Sequence, residues 1–431
     1  MKLFNTIYEL KSFLILWSSQ TVSALGTAMT NYALVIWAYQ QKGTASSITL
    51  LSVCSFLPSI LFCFAAGTLA DRWDKKRLML VSDTVAAMGT ATILLLYSTG
   101  TLQLWHLYII NFTLSFMNAF QNPAALVAQS LIVPEKHYAR TSGLQAFANS
   151  LVTVLTPAIA VALLAFGGIQ TVLIVDLSTF AVAFLALLLF IKIPPIRQSG
   201  EAKAPFLQEC LSGLRFLREH RALFSLILFF SFVNLLASLS GNGIMPAMIL
   251  SRSNQNQLAL GAVSSAVGIG MLVGSILATA APPAKRRTRV IFITCAVSFF
   301  LCDVFWGLGR SVPVWVFAAF AGNLPLPFIG VNITTIMRTK VPIEMQGRVF
   351  ATRDTLQFTT IPLGLFLGGV LADNVFEPFM LSPSPLQHAL SFLVGTGKGS
   401  GMAVIFLVIG VVGFAANLLC LRNPIFKELD T

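Results

Sequence analysis

The chain has 431 residues, of which 56% are hydrophobic and only 10% charged, with a formal net charge of +12 at pH 7 and a mean hydropathy of +0.81. Soluble globular proteins carry about 25% charged residues, so water is not the main solvent for this sequence. Runs of roughly 20 apolar residues, the length that crosses ~30 Å of hydrocarbon as a helix, recur from end to end. They are too long and too continuous for the alternating ~10-residue strands of a barrel.

The expected fold class is therefore an all-α integral membrane protein with twelve transmembrane helices. The spans fall at about 12–38, 46–70, 78–99, 103–130, 141–166, 169–191, 222–250, 257–280, 290–309, 313–337, 348–372 and 400–421. The first follows Lys2 and Lys11 but is too long for a signal-peptide core, and it is expected to stay in the mature protein.

With the N-terminus inside, every Lys and Arg among the 28 falls on the cytoplasmic side except Lys42, Arg252, Arg310 and Lys398. That asymmetry is the positive-inside pattern. It places the protein in the cell membrane as a multi-pass chain with both termini cytoplasmic, and it accounts for the basic balance without a nucleic-acid partner. Cys54, Cys63, Cys210, Cys295, Cys302 and Cys420 form no CxxC pair and imply neither a metal nor a disulfide framework.

The halves echo one another. "IVPEKHYAR" at Ile132–Arg140 is answered by "KVPIEMQGR" at Lys340–Arg348, and Leu144-Gln145 by Leu356-Gln357. Gly67 followed by "DKKR" is answered by Gly274 followed by "KRRTR". Six spans per half make a parallel repeat, as in transporters built from two like-oriented halves. The expected domains are an N-terminal six-helix bundle at 1–191, a cytoplasmic linker at 192–221 and a C-terminal six-helix bundle at 222–431. In the linker Phe206, Cys210, Leu214 and Leu217 share one helical stripe, which reads as an interfacial helix.

"GTLADRWDKKR" carries a family likeness. It resembles the loop between the second and third spans of the major facilitator superfamily, written G-x-x-x-D-R-x-G-R-K/R. Gly67, Asp71, Arg72, Lys75 and Lys76 match, and Asp74 replaces the second glycine. That replacement is frequent in the drug-exporter branch similar to macrolide-efflux and enterobactin-export proteins. The likeness extends through "FLILWSSQTVSALGTAMTNYALVIW", "NPAALVAQSLIVPE" and "GRVFATRDTLQFTTIPLGLFLGGVLAD". It implies a secondary active transporter that exports an amphipathic drug, siderophore or secondary metabolite by proton antiport, with rocker-switch alternating access. An importer of the same fold is the nearest alternative, and a non-transporting membrane sensor a more distant one.

The charged loop reads as a cytoplasmic gate or as a solvated loop obeying positive-inside. As a gate, Gly67 admits a close helix, and Asp71 faces the N-terminus of the helix that starts near Arg348. Arg72, Lys75, Lys76 and Arg77 would pair with Glu135, Glu344 or Asp354.

Polar stripes at i, i+3/i+4 and i+7 spacing mark single helical faces. The first span carries Gln20, Ser23, Thr27 and Asn31, and the fourth Asn111, Ser115, Asn118 and Asn122. The fifth carries Gln145 and Asn149, the seventh Asn234 and Ser238, and the tenth Asn323. They are read as cavity-lining residues for a small-molecule substrate, against the alternative that they glue helices together. "SGNGIMP" loosens the seventh span, and Pro325 and Pro327 should break the tenth.

No nucleotide motif suits ATP: "GTGKGSG" at Gly395–Gly401 follows no strand. No cofactor is expected, and the drive is expected to be a proton gradient. An acid within lipid costs roughly 2.5–3.5 kcal/mol on insertion scales, which makes Asp176 and Asp303 candidates for proton coupling or for structural roles. Asp83 and Asp354 read as an ion pair or cap nearer the cytoplasmic ends. In the fifth span only Pro157 survives of the family's antiporter signature, with Thr156 and Ala158 where glycines are expected. His106, His137, His220 and His388 form no catalytic or metal constellation, so the chain reads as a transporter and not an enzyme, expected to be monomeric.

Overall fold

The computed structural model describes residues 9–72, 74–134, 137–191, 206–241, 243–282 and 284–430. The helices are α1 Lys11–Lys42, α2 Ala45–Arg72, α3 Lys75–Ser98, α4 Leu104–Ile132, α5 Tyr138–Phe190 and α6 Phe206–Glu219. They continue with α7 Arg221–Ser240, α8 Ile244–Arg252, α9 Gln257–Ala280, α10 Arg287–Phe299, α11 Phe305–Leu308 and α12 Val312–Asn323. The rest are α13 Leu326–Lys340, α14 Ile343–Phe358, α15 Thr360–Leu371, α16 Glu377–Leu381, α17 Pro385–Val394 and α18 Ser400–Arg422. Single π turns at Phe300–Val304 and Ala372–Phe376 join α10 to α11 and α15 to α16.

Grouped into continuous rods, these pieces give the expected twelve-helix membrane fold. The fifth and sixth rods are one helical run, α5, bent at Gly167 and Gly168, where Gly168 takes φ 68°. The seventh rod stops at Ser240, with Gly241 as its C-cap, and resumes at Ile244, with Gly243 as the N-cap. The tenth breaks between Asn323 and Leu326, ahead of Pro327, whose ring cannot sit in a helix interior. Among the described residues nine stretches are long and apolar enough to cross a membrane by composition. α1 and α4 are not among them, because their polar stripes dilute the apolar run.

The contacts divide the chain into two compact units. The first comprises Met1–Trp37 and Cys54–Ala202. Its core gathers Leu16, Leu78, Met79, Phe120 and Leu187, with the Phe62 and Phe116 rings edge to face at 4.8 Å between centroids. α3 starts cleanly because Asp74 is its N-cap, accepting from the Arg77 backbone N–H at 2.8 Å. The residue that departs from the family loop pattern thus has a local purpose. At the end of α5, the Lys76 ammonium donates to the carbonyls of Leu188 and Ile191 at 2.9 and 2.8 Å. A cation there satisfies carbonyls that the helix itself leaves unpaired.

The second unit comprises Ala38–Val53 and Lys203–Thr431. It therefore includes the end of α1 and the first turns of α2. Small residues let its backbones approach closely. A Cβ on Gly270 would stand 2.5 Å from the Phe320 carbonyl oxygen, and one on Gly364 2.6 Å from that of Leu235. Gly274, the counterpart of Gly67 in the sequence echo, likewise abuts the backbone of Leu324. The linker helix α6 packs against α14 and α7, with Leu217 fully buried, so it is more than a surface float. The side chains of Phe206 and Cys210 lie outside the described residues.

Candidate functional site

A cavity of about 430 Å³ opens inside the first unit. α1 presents Gln20, Ser23, Thr27 and Asn31; α4 presents Asn118, Gln121 and Asn122; α5 presents Gln145, Asn149 and Asp176; and α3 adds Asp83 and Thr90. Trp17, Met79, Met117, Leu177 and Phe180 make the apolar part of its wall. The stripes converge because each helix carries its polar residues on one face.

Two carboxylates anchor the lining. Asp83 Oδ1 accepts from Gln121 Nε2 at 2.6 Å, and its Oδ2 from Gln20 Nε2 at 3.4 Å. Asp176 is buried, accepting from the Thr27 and Thr90 hydroxyls at 3.2 and 3.1 Å. No Lys, Arg or His stands among the lining residues. Both acids are held by neutral donors alone, which leaves the wall with two carboxylates and no countercharge of its own. Each offers its charge to a cationic ligand group.

Asp83 is thus neither a cap nor half of an ion pair, as its position near the end of the third span suggested. Its spacing to Ala86, Ala87 and Thr90 on one face of α3 was the available signal. Gln121 was missed although it stands at i+3 from Asn118, on the same stripe as Asn122.

Two fourth-span candidates do not reach the cavity. Asn111 and Ser115 are buried where α4 meets α2. Asn111 Oδ1 accepts from Ser55 Oγ at 3.1 Å, its Nδ2 donates to the Leu107 carbonyl, and Ser115 Oγ accepts the Ser59 backbone N–H at 3.3 Å. The Ser55 and Ser59 contacts tie α4 to α2, while the Leu107 bond stays within α4, which corrects the cavity-lining assignment for this pair.

In the second unit the remaining candidates also sit in helix contacts. Asn234 donates to the Gln357 carbonyl at 3.2 Å, Ser238 lies against Gly364, and Asn323 donates within its own helix to the Ala319 carbonyl at 2.7 Å and stands 3.9 Å from Cys302 Sγ. Asp303, on the first π turn, is buried and accepts from Ser240 Oγ at 2.8 Å. It pins the last residue of α7 beside the break before α8.

Of the gate residues, Glu135, the surroundings of Gly67 and the side chains of Asp71, Arg72, Glu344 and Arg348 lie outside what the structure describes. Lys75 is buried at the start of α3, Lys76 serves the end of α5 and Arg77 is exposed. Asp354 pairs with its neighbour Arg353 at 2.7 Å.

The Major Facilitator Superfamily profile matches residues 16–365. The chain belongs to the major facilitator superfamily. Family members are membrane transporters of small molecules, and this chain is one of them, a multi-pass membrane protein. It is 24% identical to macrolide efflux protein A of Streptococcus pyogenes over 369 residues, covering 84% of this chain and 90% of the relative. It is 24% identical to the multidrug efflux pump Tap of Mycolicibacterium fortuitum over 374 residues, covering 84% and 88%. These relatives match the drug-exporter branch of the superfamily. Among solved structures, the nucleoside transporter NupG superposes with a TM-score of 0.67 at 11% identity, covering 94% of this chain and 97% of that one. A bacterial homologue of the iron transporter ferroportin gives 0.66 at 12%, covering 96% and 99%. At such identities the likeness is one of fold.

Proposed function

We propose that this transporter exports cationic amphipathic small molecules from the cell in exchange for protons. The observation that carries this reading is the first-unit cavity, where Asp83 and Asp176 face one space with neutral donors and no base. The cavity sets amides, hydroxyls and two carboxylates against apolar side chains such as Trp17, Met117 and Phe180, which suits an amphipathic ligand, and its volume lies within the about 300–1,000 Å³ of drug-sized pockets. Two carboxylates favour a protonated amine over an anionic siderophore, because a like charge is rejected as firmly as an opposite one is drawn. The efflux names of the relatives support the outward direction.

In this scheme protons and cationic cargo compete for the same carboxylates, so each displaces the other and the gradient drives export. Asp176 serves this exchange together with Asp83, while Asp303 serves the helix break. Rocker-switch alternating access is part of this reading, with Gly67, Asp71, Arg72, Arg77, Glu135, Glu344, Arg348 and Asp354 as its cytoplasmic gate. The chain acts as a monomer in the cell membrane with both termini inside.

The test is dye efflux from cells that carry the transporter, with a lipophilic cation as cargo. Export should stop when the proton gradient is collapsed and should fall sharply in Asp83→Asn and Asp176→Asn at normal membrane levels. Gradient-independent export, or full activity in both variants, would refute the exchange.

A further inference from the structure

The charge distribution leaves only Lys42, Arg252, Arg310 and Lys398 on the side expected to face outward. Three of those four bases line a single open cavity of about 1040 Å³ in the second unit, together with His388. Ser251, Asn254 and Ser391 add hydroxyl and amide groups, and no carboxylate stands among the lining residues. Glu377 lies near enough to act on Arg252, but the hydrogen bonds of the acids at this end go to backbone N–H groups. Glu377 accepts the backbone N–H groups of Gly399 and Met402 at the start of α18, and Asp373 those of Ala45 and Ser46 at the start of α2. Both sit at helix N-termini, where a carboxylate complements the helix dipole.

The arginines are fixed by carbonyls. Arg252 donates to Gly309 O at 3.2 Å and to Val394 O; Arg310 donates to Phe392 O at 2.6 Å. A guanidinium has five N–H donors, so these contacts hold it in place with donors left for an anion. The carbonyls of Phe392 and Val394 end α17. On that helix Leu386 and Leu393 are exposed on one face, while His388 and Ser391 turn to the other, and Phe392 is 84% exposed beside them. An apolar face next to a cationic recess is the arrangement that holds a helix at a lipid interface.

We infer that this recess binds the phosphate of an anionic phospholipid in the outward-facing leaflet, with its acyl chains along Phe392 at the rim. Arginine pairs with phosphate through parallel N–H donors, and the exposed apolar side chains supply what a free anion would not use. The site is independent of the cargo cavity and of the direction of transport.

The test uses purified full-length protein in phosphatidylcholine vesicles with and without phosphatidylglycerol. Thermal unfolding midpoints are read, and lipid retained on release is counted by native mass spectrometry. Phosphatidylglycerol should raise the midpoint and stay bound. Lys398→Gln should weaken retention about fivefold, since a base near an anionic surface contributes ~1 kcal/mol, and Arg310→Gln with Lys398→Gln should weaken it further. Arg286→Gln, at an exposed base outside the recess, should change nothing. Lys398 is exposed, so its single variant folds even if the arginine variant does not. Equal retention in wild type and Lys398→Gln would overturn the inference. So would an equal loss in Arg286→Gln, or the same midpoint rise from inorganic phosphate added to phosphatidylcholine vesicles.

Discussion

Gln121 donates a 2.6 Å hydrogen bond to Asp83, tying α4 to α3 across the wall of the first-unit cavity. A short amide contact to a carboxylate keeps the acid aimed into the space without neutralising it. Gln20 reaches the other oxygen from α1, so three helices share one charge. Gln121→Leu should leave the protein folded but raise the KM for a cationic cargo several-fold, measured in proteoliposomes. An unchanged KM would remove Gln121 from the site.

Asn111 and Ser115 predict a different phenotype. Hydrogen bonds between membrane helices contribute about 0.6 kcal/mol on average. Asn111→Ala should lower thermal stability by roughly that amount and leave cargo selectivity unchanged. A shift in cargo preference would return Asn111 to the cavity.

The Asp74 cap separates two ways of losing a carboxylate. Asp74→Ala should cost about 1 kcal/mol of stability, and Asp74→Gly, which restores the family residue, only a few tenths. Transport should persist in both. Equal losses on thermal unfolding would mean that the cap is not what Asp74 supplies.

Asp373 holds the first turn of α2 through the N–H groups of Ala45 and Ser46 at 2.9 and 2.7 Å. Asp373→Ala frees two donors at a helix N-terminus. Hydrogen exchange across residues 45–53 should then speed markedly, with residues 104–132 unaffected. Uniform acceleration would point to global destabilisation instead.

Much of this was legible in the sequence, and the failures are instructive. Span lengths follow from bilayer thickness, and the breaks near Gly241 and Pro325 follow from backbone chemistry, so both could be read directly. The stripes of α1, α4 and α5 could be read as single helix faces, but periodicity assigns a face and not the neighbour that covers it at each depth. Asn111 and Asn118 share a stripe, yet the first meets Ser55 on α2 and the second meets open space. Asp83 was misjudged for a related reason: its partners Gln20 and Gln121 are 63 and 38 residues away, and only the packing brings them together. The role of Lys76 was hidden likewise, because the carbonyls it meets lie 112 and 115 residues on.

The central claim is that Asp83 and Asp176 together exchange protons for a cationic cargo. The most direct measurement loads proteoliposomes with a lipophilic cation, imposes a pH gradient and follows its movement in wild type and in Asp83→Asn with Asp176→Asn. Wild type should move the cation only while the gradient stands, and the double variant should lose that movement while keeping its fold. Gradient-driven transport at the wild-type rate in the double variant would contradict the account.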